Sequence, residues 1–129
     1  MIDAEFLYNT LDQGMFCHCP SLLETRSGAL MVAWYTYPAD EHIGASLSFS
    51  IKPKGHKNWT SSKPALNTGK YSAGNPVLFQ DPDGRIHLLY VVLKGNYWND
   101  AYLQGTWSDD EGQTWSQPVQ LWQEPGMMI

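Results

Sequence analysis

The chain has 129 residues, 16% of them charged and 13% aromatic, and its formal net charge is −5. This length allows one domain of ordinary size, and the aromatic content excludes a disordered protein. The acidic balance, without any basic run, argues against nucleic acid as a partner. No apolar stretch approaches the roughly 20 residues of a membrane span, and the N-terminus lacks a secretory signal, so we expect no membrane partner and the cytoplasm by default.

Glycine and proline divide the chain into short apolar runs. After the first 13 residues the longest stretch free of both is the ten residues 85–94, which excludes a mostly helical protein. The runs predict one lead-in strand and then two sets of four strands separated by turn residues. In chain order these are 5–8, then 20–24, 29–35, 45–51 and 61–66, then 76–80, 85–93, 101–107 and 118–122.

The two sets of strands are copies of one unit, offset by 56 residues. A four-stranded antiparallel meander that repeats at about this length is typical of a β-propeller blade. We therefore predict an all-β partial propeller with a lead-in over 1–16 and blades over 17–72 and 73–125. Six identities support the offset: Pro20 and Pro76, Leu22 and Leu78, Gly28 and Gly84, Ala45 and Ala101, Leu47 and Leu103, Trp59 and Trp115.

A turn motif in the second copy points to a family. Residues 108–115 fit the pattern S-x-D-x-G-x-T-W, and this stretch resembles the Asp-box of sialidase-type (BNR repeat) propellers. We expect Asp110 to accept backbone N–H groups, Gly112 to supply a left-handed conformation and Trp115 to be buried between strands. The equivalent turn of the first copy keeps only its tryptophan, so that box has degenerated. The motif residues, which we interpret as structural, are Ser108, Asp110, Gly112, Thr114 and Trp115.

The resemblance extends over roughly residues 15 to 125 and implies two of the six blades of a sialidase-like glycoside hydrolase. That family binds the substrate carboxylate with three arginines, the first in an Arg-Ile-Pro motif, and uses a tyrosine activated by glutamate together with an acidic aspartate. Here the matching tripeptide is His18-Cys19-Pro20, and both arginines of the chain, Arg26 and Arg85, map to the opposite rim. Because a neutral histidine does not reproduce a bidentate arginine, we do not expect a single chain to be a working sialidase.

Blade topology predicts which residues face the central funnel. The first strands begin there, and the loops 36–44 and 94–100 and the connector 67–74 return to it. Aromatic rings beside carboxylates and amides suit a sugar, because rings stack on the apolar face of a pyranose. The predicted ligand-binding residues are His18, Tyr37, Asn75, Lys94, Tyr97, Trp98 and Asp100, with Asp40 and Glu41 as weak candidates for a catalytic carboxylate.

These candidates also have a structural interpretation. We favour packing against a neighbouring blade for Tyr97 and Trp98, and an ordinary solvated loop for Asp40 and Glu41. We predict no cofactor and no metal, because Cys17 and Cys19 would need two further ligands and the intervening His18 points the other way.

Three functions remain open at this point. The first is a glycan-directed unit of a glycoside-hydrolase-type scaffold, an interpretation that rests on family resemblance. The second is a small lectin-like protein whose two blades trimerise with C3 symmetry into a six-bladed ring, which would cover the apolar flanks of every chain. The third is a structural fragment with no ligand.

Overall fold

A computed structural model describes residues 4–5, 7, 15–61, 63–66 and 68–129. The predicted strand at 5–8 falls largely outside these residues. The described residues form eight strands: β1 (Phe16–Glu24), β2 (Leu30–Tyr37), β3 (Ser46–Lys52), β4 (Lys63–Pro64), β5 (Ser72–Gln80), β6 (Ile86–Leu93), β7 (Ala101–Ser108) and β8 (Val119–Gln120).

The strands form two four-stranded antiparallel sheets, each in simple chain order, β1-β2-β3-β4 and β5-β6-β7-β8. We call them the first and the second blade. A single 3₁₀ turn at Trp98–Asp100 precedes β7, and no helix in the described part of the chain could span a membrane. The prediction of an all-β chain of two four-stranded meanders is confirmed.

The pairing register repeats at the offset of 56 residues. Leu22 pairs with Val32 in the first blade, and Leu78 pairs with Leu88 in the second. Both inner strands shift register at equivalent places, between residues 18 and 21 and between 74 and 77. The internal repeat read from the sequence is therefore a repeat of backbone geometry as well.

The strand ends differ from the prediction at both edges of each sheet. The inner strands β1 and β5 begin four residues before the predicted starts at 20 and 76, because a bulge lets the pairing continue past Pro20 and Pro76, which lack an N–H donor. The outer strands β4 and β8 are two residues long, shorter than the predicted 61–66 and 118–122.

The core lies between the two blades. Alternate residues of a strand point to one face, so each blade contributes one set of side chains to the junction. The first blade supplies Met31, Ala33, Tyr35, Leu47 and Phe49, and the second supplies Leu78, Ile86, Leu88, Tyr90 and Val92, all of them buried.

The Asp-box turn has the expected local chemistry. Asp110 accepts hydrogen bonds from the Thr114 hydroxyl, the Thr114 backbone N–H (2.8 Å) and the Ser108 hydroxyl (2.7 Å). These bonds hold the pKa of Asp110 at about 2. Gly112 has φ of 83°, and its N–H donates to Ser108 Oγ at 2.8 Å.

Trp115 differs from the prediction in burial and in position. It is half-buried rather than fully buried, and its ring meets Phe49 of the first blade edge-on, with centroids 6.1 Å apart. The indole therefore packs between blades and not between strands of one blade, because the Asp-box turn leans over the face of the preceding sheet. Its Nε1 is buried and has no hydrogen-bond partner in the described part of the chain.

Candidate functional site

The carboxylate of Glu41 is hydrogen-bonded to both blades at one end of their junction. Glu41 lies in the loop after β2, where its Oε2 accepts from Tyr35 Oη at 3.0 Å. Its Oε1 accepts from Trp98 Nε1 at 3.0 Å, and Trp98 belongs to the 3₁₀ turn of the second blade. Each oxygen thus has a donor from a different blade.

His18 extends this network toward solvent. Its Nδ1 lies 2.8 Å from Tyr35 Oη and 3.6 Å from Glu41 Oε2. Because the Tyr35 hydroxyl donates its only hydrogen to Glu41, the oxygen is left to accept from His18 Nδ1–H. The other ring nitrogen takes no part in this contact, and the His18 side chain is 58% exposed.

The electrostatics of the network fix its charge state. The hydrogen bond from Trp98, and then that from Tyr35, lower the pKa of Glu41 against the opposing effect of burial. Burial, and then the hydrogen bond to Glu41, raise the pKa of Tyr35. At neutral pH Glu41 is therefore an anion and Tyr35 a neutral phenol, and the Tyr35 residue is only 1% exposed.

An exposed aromatic surface borders this network on the side of the second blade. Tyr97 is 66% exposed, and its ring centroid lies 5.9 Å from that of His42, which in turn lies 5.6 Å from Trp98. His42 Nδ1 and the His42 backbone N–H both approach Asp40 Oδ1, at 2.8 and 2.9 Å. The backbone and then the ring contact of His42 lower the pKa of Asp40.

On the opposite side, Tyr37 continues the aromatic surface along β1 and β2. Its ring stacks on Phe16 with centroids 5.5 Å apart and an interplanar angle of 24°, and it lies 5.8 Å from Tyr35. The site is thus a row of rings and carboxylates across the blade junction. We call it the junction site, made of Phe16, His18, Tyr35, Tyr37, Asp40, Glu41, His42, Tyr97 and Trp98.

The comparisons with known proteins assign the family. The model of the BNR repeat-like domain matches residues 28–129. The chain belongs to the BNR repeat-like family. A search of curated protein sequences finds no match for this BNR repeat-like chain.

Solved structures share the fold, among them the following two. A Hadza microbial sialidase, Hz136, matches with a TM-score of 0.69 and 22% identity over 81% of this chain. A protein of unknown function from Dyadobacter fermentans DSM 18053 matches with a TM-score of 0.67 and 18% identity over 84%. The BNR repeat-like chain spans 26% and 37% of the lengths of these two proteins. The predicted sialidase-like propeller fold is confirmed.

Two of the predicted ligand-binding residues, Lys94 and Asp100, contact other parts of the second blade, and a third, Asn75, has an unusual backbone conformation. Lys94 Nζ donates to Gln120 Oε1 at 2.8 Å and lies over the Tyr102 ring. Asp100 accepts from the Asn96 backbone N–H at 3.2 Å and so shapes its own loop. Asn75 is a left-handed residue of the β5 bulge, with φ of 49°.

Two members of the site, Phe16 and Tyr35, were missed from sequence, and Tyr35 was predicted only as a strand residue. His42 belongs to the loop 36–44, which the sequence analysis placed at the funnel. One signal was available: Tyr35 and Tyr37 alternate on one face of β2, and antiparallel pairing places His18 directly opposite Tyr35. In the described part of the chain, no group of three His, Cys, Asp or Glu is arranged to hold a metal ion.

Proposed function

We propose that this chain is a glycan-directed propeller unit of the glycoside-hydrolase type, which binds carbohydrate at the junction site and is not catalytic on its own. One observation carries the proposal. Two solvent-exposed side chains flank Glu41, the Tyr97 ring on the second blade and the His18 imidazole on the first. Between them lies a fixed, ionised carboxylate.

The chemistry of these groups suits a sugar. An exposed tyrosine ring can stack on the C–H face of a pyranose, while imidazole and carboxylate groups bind hydroxyls. Asp40, whose side chain is more exposed than that of Glu41, offers a second acceptor beside Tyr97. Side chains that hydrogen bonds already hold in place, such as Glu41 and Asp40, lose little conformational entropy when a ligand binds, and this favours affinity.

Three observations support a binding role rather than catalysis. Tyr35 is paired with Glu41, but it is buried and its raised pKa opposes formation of a nucleophilic phenolate. Glu41 has both oxygens occupied. Neither arginine of the chain belongs to the junction site. Arg85 pairs with Asp109 at the Asp-box turn through two contacts, 2.7 and 3.2 Å, and Arg26 lies in the β1–β2 turn.

The proposal is tested with the purified chain on a glycan array, followed by a titration of the best sugar monitored by tryptophan fluorescence. Replacement Tyr97→Ala is expected to weaken binding at least about tenfold, through loss of ring stacking. Trp122→Ala removes an exposed ring outside the junction site and serves as the control. A folded chain that binds no glycan, or equal losses from both variants, would contradict the proposal.

A lectin-like protein that closes a ring from three copies is the second candidate. Large apolar side chains exposed on both blades, Leu22 on the first and Val77 and Phe79 on the second, favour it.

A further inference from the structure

The junction between the two blades shows how one blade of this chain recognises the next. The first blade presents Met31, Ala33, Tyr35, Leu47 and Phe49 to the second. The second blade packs against them with Leu78, Ile86, Leu88 and Tyr90. Because the blades repeat at an offset of 56 residues in sequence and in register, each of these surfaces has an equivalent on the other blade.

The outer face of the first blade is the equivalent of the second blade's packing surface. Leu78, Leu88 and Tyr90 correspond to Leu22, Val32 and Trp34. Leu22 is 65% exposed, whereas Leu78 is buried. A groove of about 490 Å³ opens along this face, lined mainly by apolar side chains that include Leu7, Pro20, Leu22, Val32, Trp34 and Trp59.

The outer face of the second blade is the equivalent of the first blade's packing surface. Ala33, Tyr35 and Leu47 correspond to Leu89, Val91 and Leu103, and Leu23, which packs into the existing junction, corresponds to Phe79. Phe79 is 40% exposed and stacks on His87, with ring centroids 4.7 Å apart. Each flank thus presents an exposed apolar side chain, Leu22 on the first blade and Phe79 on the second, whereas Val91 is already buried in a smaller cluster with Leu93 and Ala101.

We propose that the outer face of the second blade binds the outer face of the first blade of a second copy of this chain, head to tail. The contact reproduces the internal junction: Phe79 takes the place of Leu23, and Leu22 of the next copy takes the place of Leu78. Such a contact is heterologous, because different surfaces meet, and it closes into a ring when the blade number is satisfied. Three copies supply the six blades of a sialidase-like propeller. The proposal does not depend on sugar binding.

The C-terminal segment that contains Gly126 must move for this contact to form. In the internal junction the Ala73 N–H donates to the Ala45 carbonyl at 3.0 Å. The equivalent carbonyl of the second blade, Ala101, accepts from Gly126 N–H at 2.8 Å, so the segment holds the position that Cys17 N–H of the next copy would take. Association therefore exchanges one backbone hydrogen bond for another while it buries both apolar flanks.

The test is the molar mass of the full chain in solution, measured by light scattering across micromolar concentrations. The expected mass is three times 14.6 kDa. Leu22→Glu and Phe79→Glu should each weaken association at least about 100-fold, since a charge is placed in an apolar contact. Ile43→Glu changes an exposed apolar residue of the β2–β3 loop and should leave the trimer intact.

A mixture of the two variants identifies the geometry. Leu22→Glu keeps a competent second blade and Phe79→Glu a competent first blade, so an equimolar mixture should form a two-chain complex and nothing larger. A wild-type monomer, or a dimer that only one of the two substitutions disrupts, would overturn the proposal. Gly126→Pro removes the competing N–H and should tighten association about tenfold. An unchanged affinity would overturn the exchange at Ala101.

Discussion

Cys19 and Asn75 adopt the same left-handed backbone conformation in the two blades, with φ of 48° and 49°. Each lies at the register shift of an inner strand and directly precedes a proline. Left-handed backbone is uncommon for residues other than glycine, and asparagine tolerates it better than most. The bulge therefore requires a particular backbone at one position in each blade, although the side chains there differ.

We predict that Asn75→Ala destabilises the chain by about 1 kcal/mol, since alanine lacks the local hydrogen bonding that eases this conformation. Asn75→Gly should be tolerated, because glycine adopts positive φ freely. Urea unfolding of the two variants measures the difference. Equal losses would show that contacts of the Asn75 side chain, and not its backbone, set the stability of the bulge.

Gly112 of the Asp-box turn combines a positive φ with a close approach to the first blade. A Cβ at this position would collide with Met31 Cε, in addition to the strain of φ at 83°. Gly55 has φ of 77° and nothing within 4 Å of its Cβ position, so it is a matched control. Gly55→Ala should cost about 1 to 2 kcal/mol of unfolding free energy, and Gly112→Ala about 1 kcal/mol more, because the terminal methyl of the buried Met31 has to shift. Similar losses would contradict the close packing of the turn on Met31.

Replacing Glu41 should loosen the junction between the blades. Glutamine keeps the size but offers one carbonyl oxygen and an NH₂ group. The NH₂ group would face either Trp98 Nε1–H, which only donates, or the Tyr35 hydroxyl, whose hydrogen would then lose its acceptor. We expect Glu41→Gln to lower the unfolding free energy by about 1 kcal/mol or more. Asp40→Asn is the control, because its contacts stay within one loop. An equal effect from the control would contradict the bridging role of Glu41.

The pKa of Asp110 predicts how stability changes with pH. The folded value of about 2 lies below the ordinary value of 3.8, so the folded state favours the charged form. The stabilisation is complete above about pH 4 and is lost as the pH falls toward 2. Asp110→Asn, which cannot titrate, should be less stable than the wild type at pH 7, and the difference should shrink below about pH 4. A difference that stays constant down to pH 2 would contradict this prediction.

The sequence predicted the blades well and the junction site only in part. Repeats and turn residues reveal the strands because the turns between strands need positive φ, and glycine occupies those positions at Gly28, Gly84 and Gly112. Tyr35 carried no such mark. Its role depends on Glu41 and on Trp98, 63 positions further along the chain, and such a contact is set by how the blades pack. The contacts of Lys94 with Gln120 and Tyr102 could not be predicted from sequence for the same reason.

The 56-residue repeat copies the backbone of the blade but not the chemistry of the junction site. At equivalent positions, His18 is replaced by Gly74, Tyr35 by Val91 and Glu41 by Tyr97, while Trp98 corresponds to His42. The second blade therefore has no phenol at the position of Tyr35 and no acid at the position of Glu41, so it cannot build the same network on its outer face. Instead, the Trp98 indole of the second blade forms part of the junction site beside Glu41 of the first blade. Calorimetric titration of a sugar that binds there would saturate at one equivalent per polypeptide, despite two blades in each.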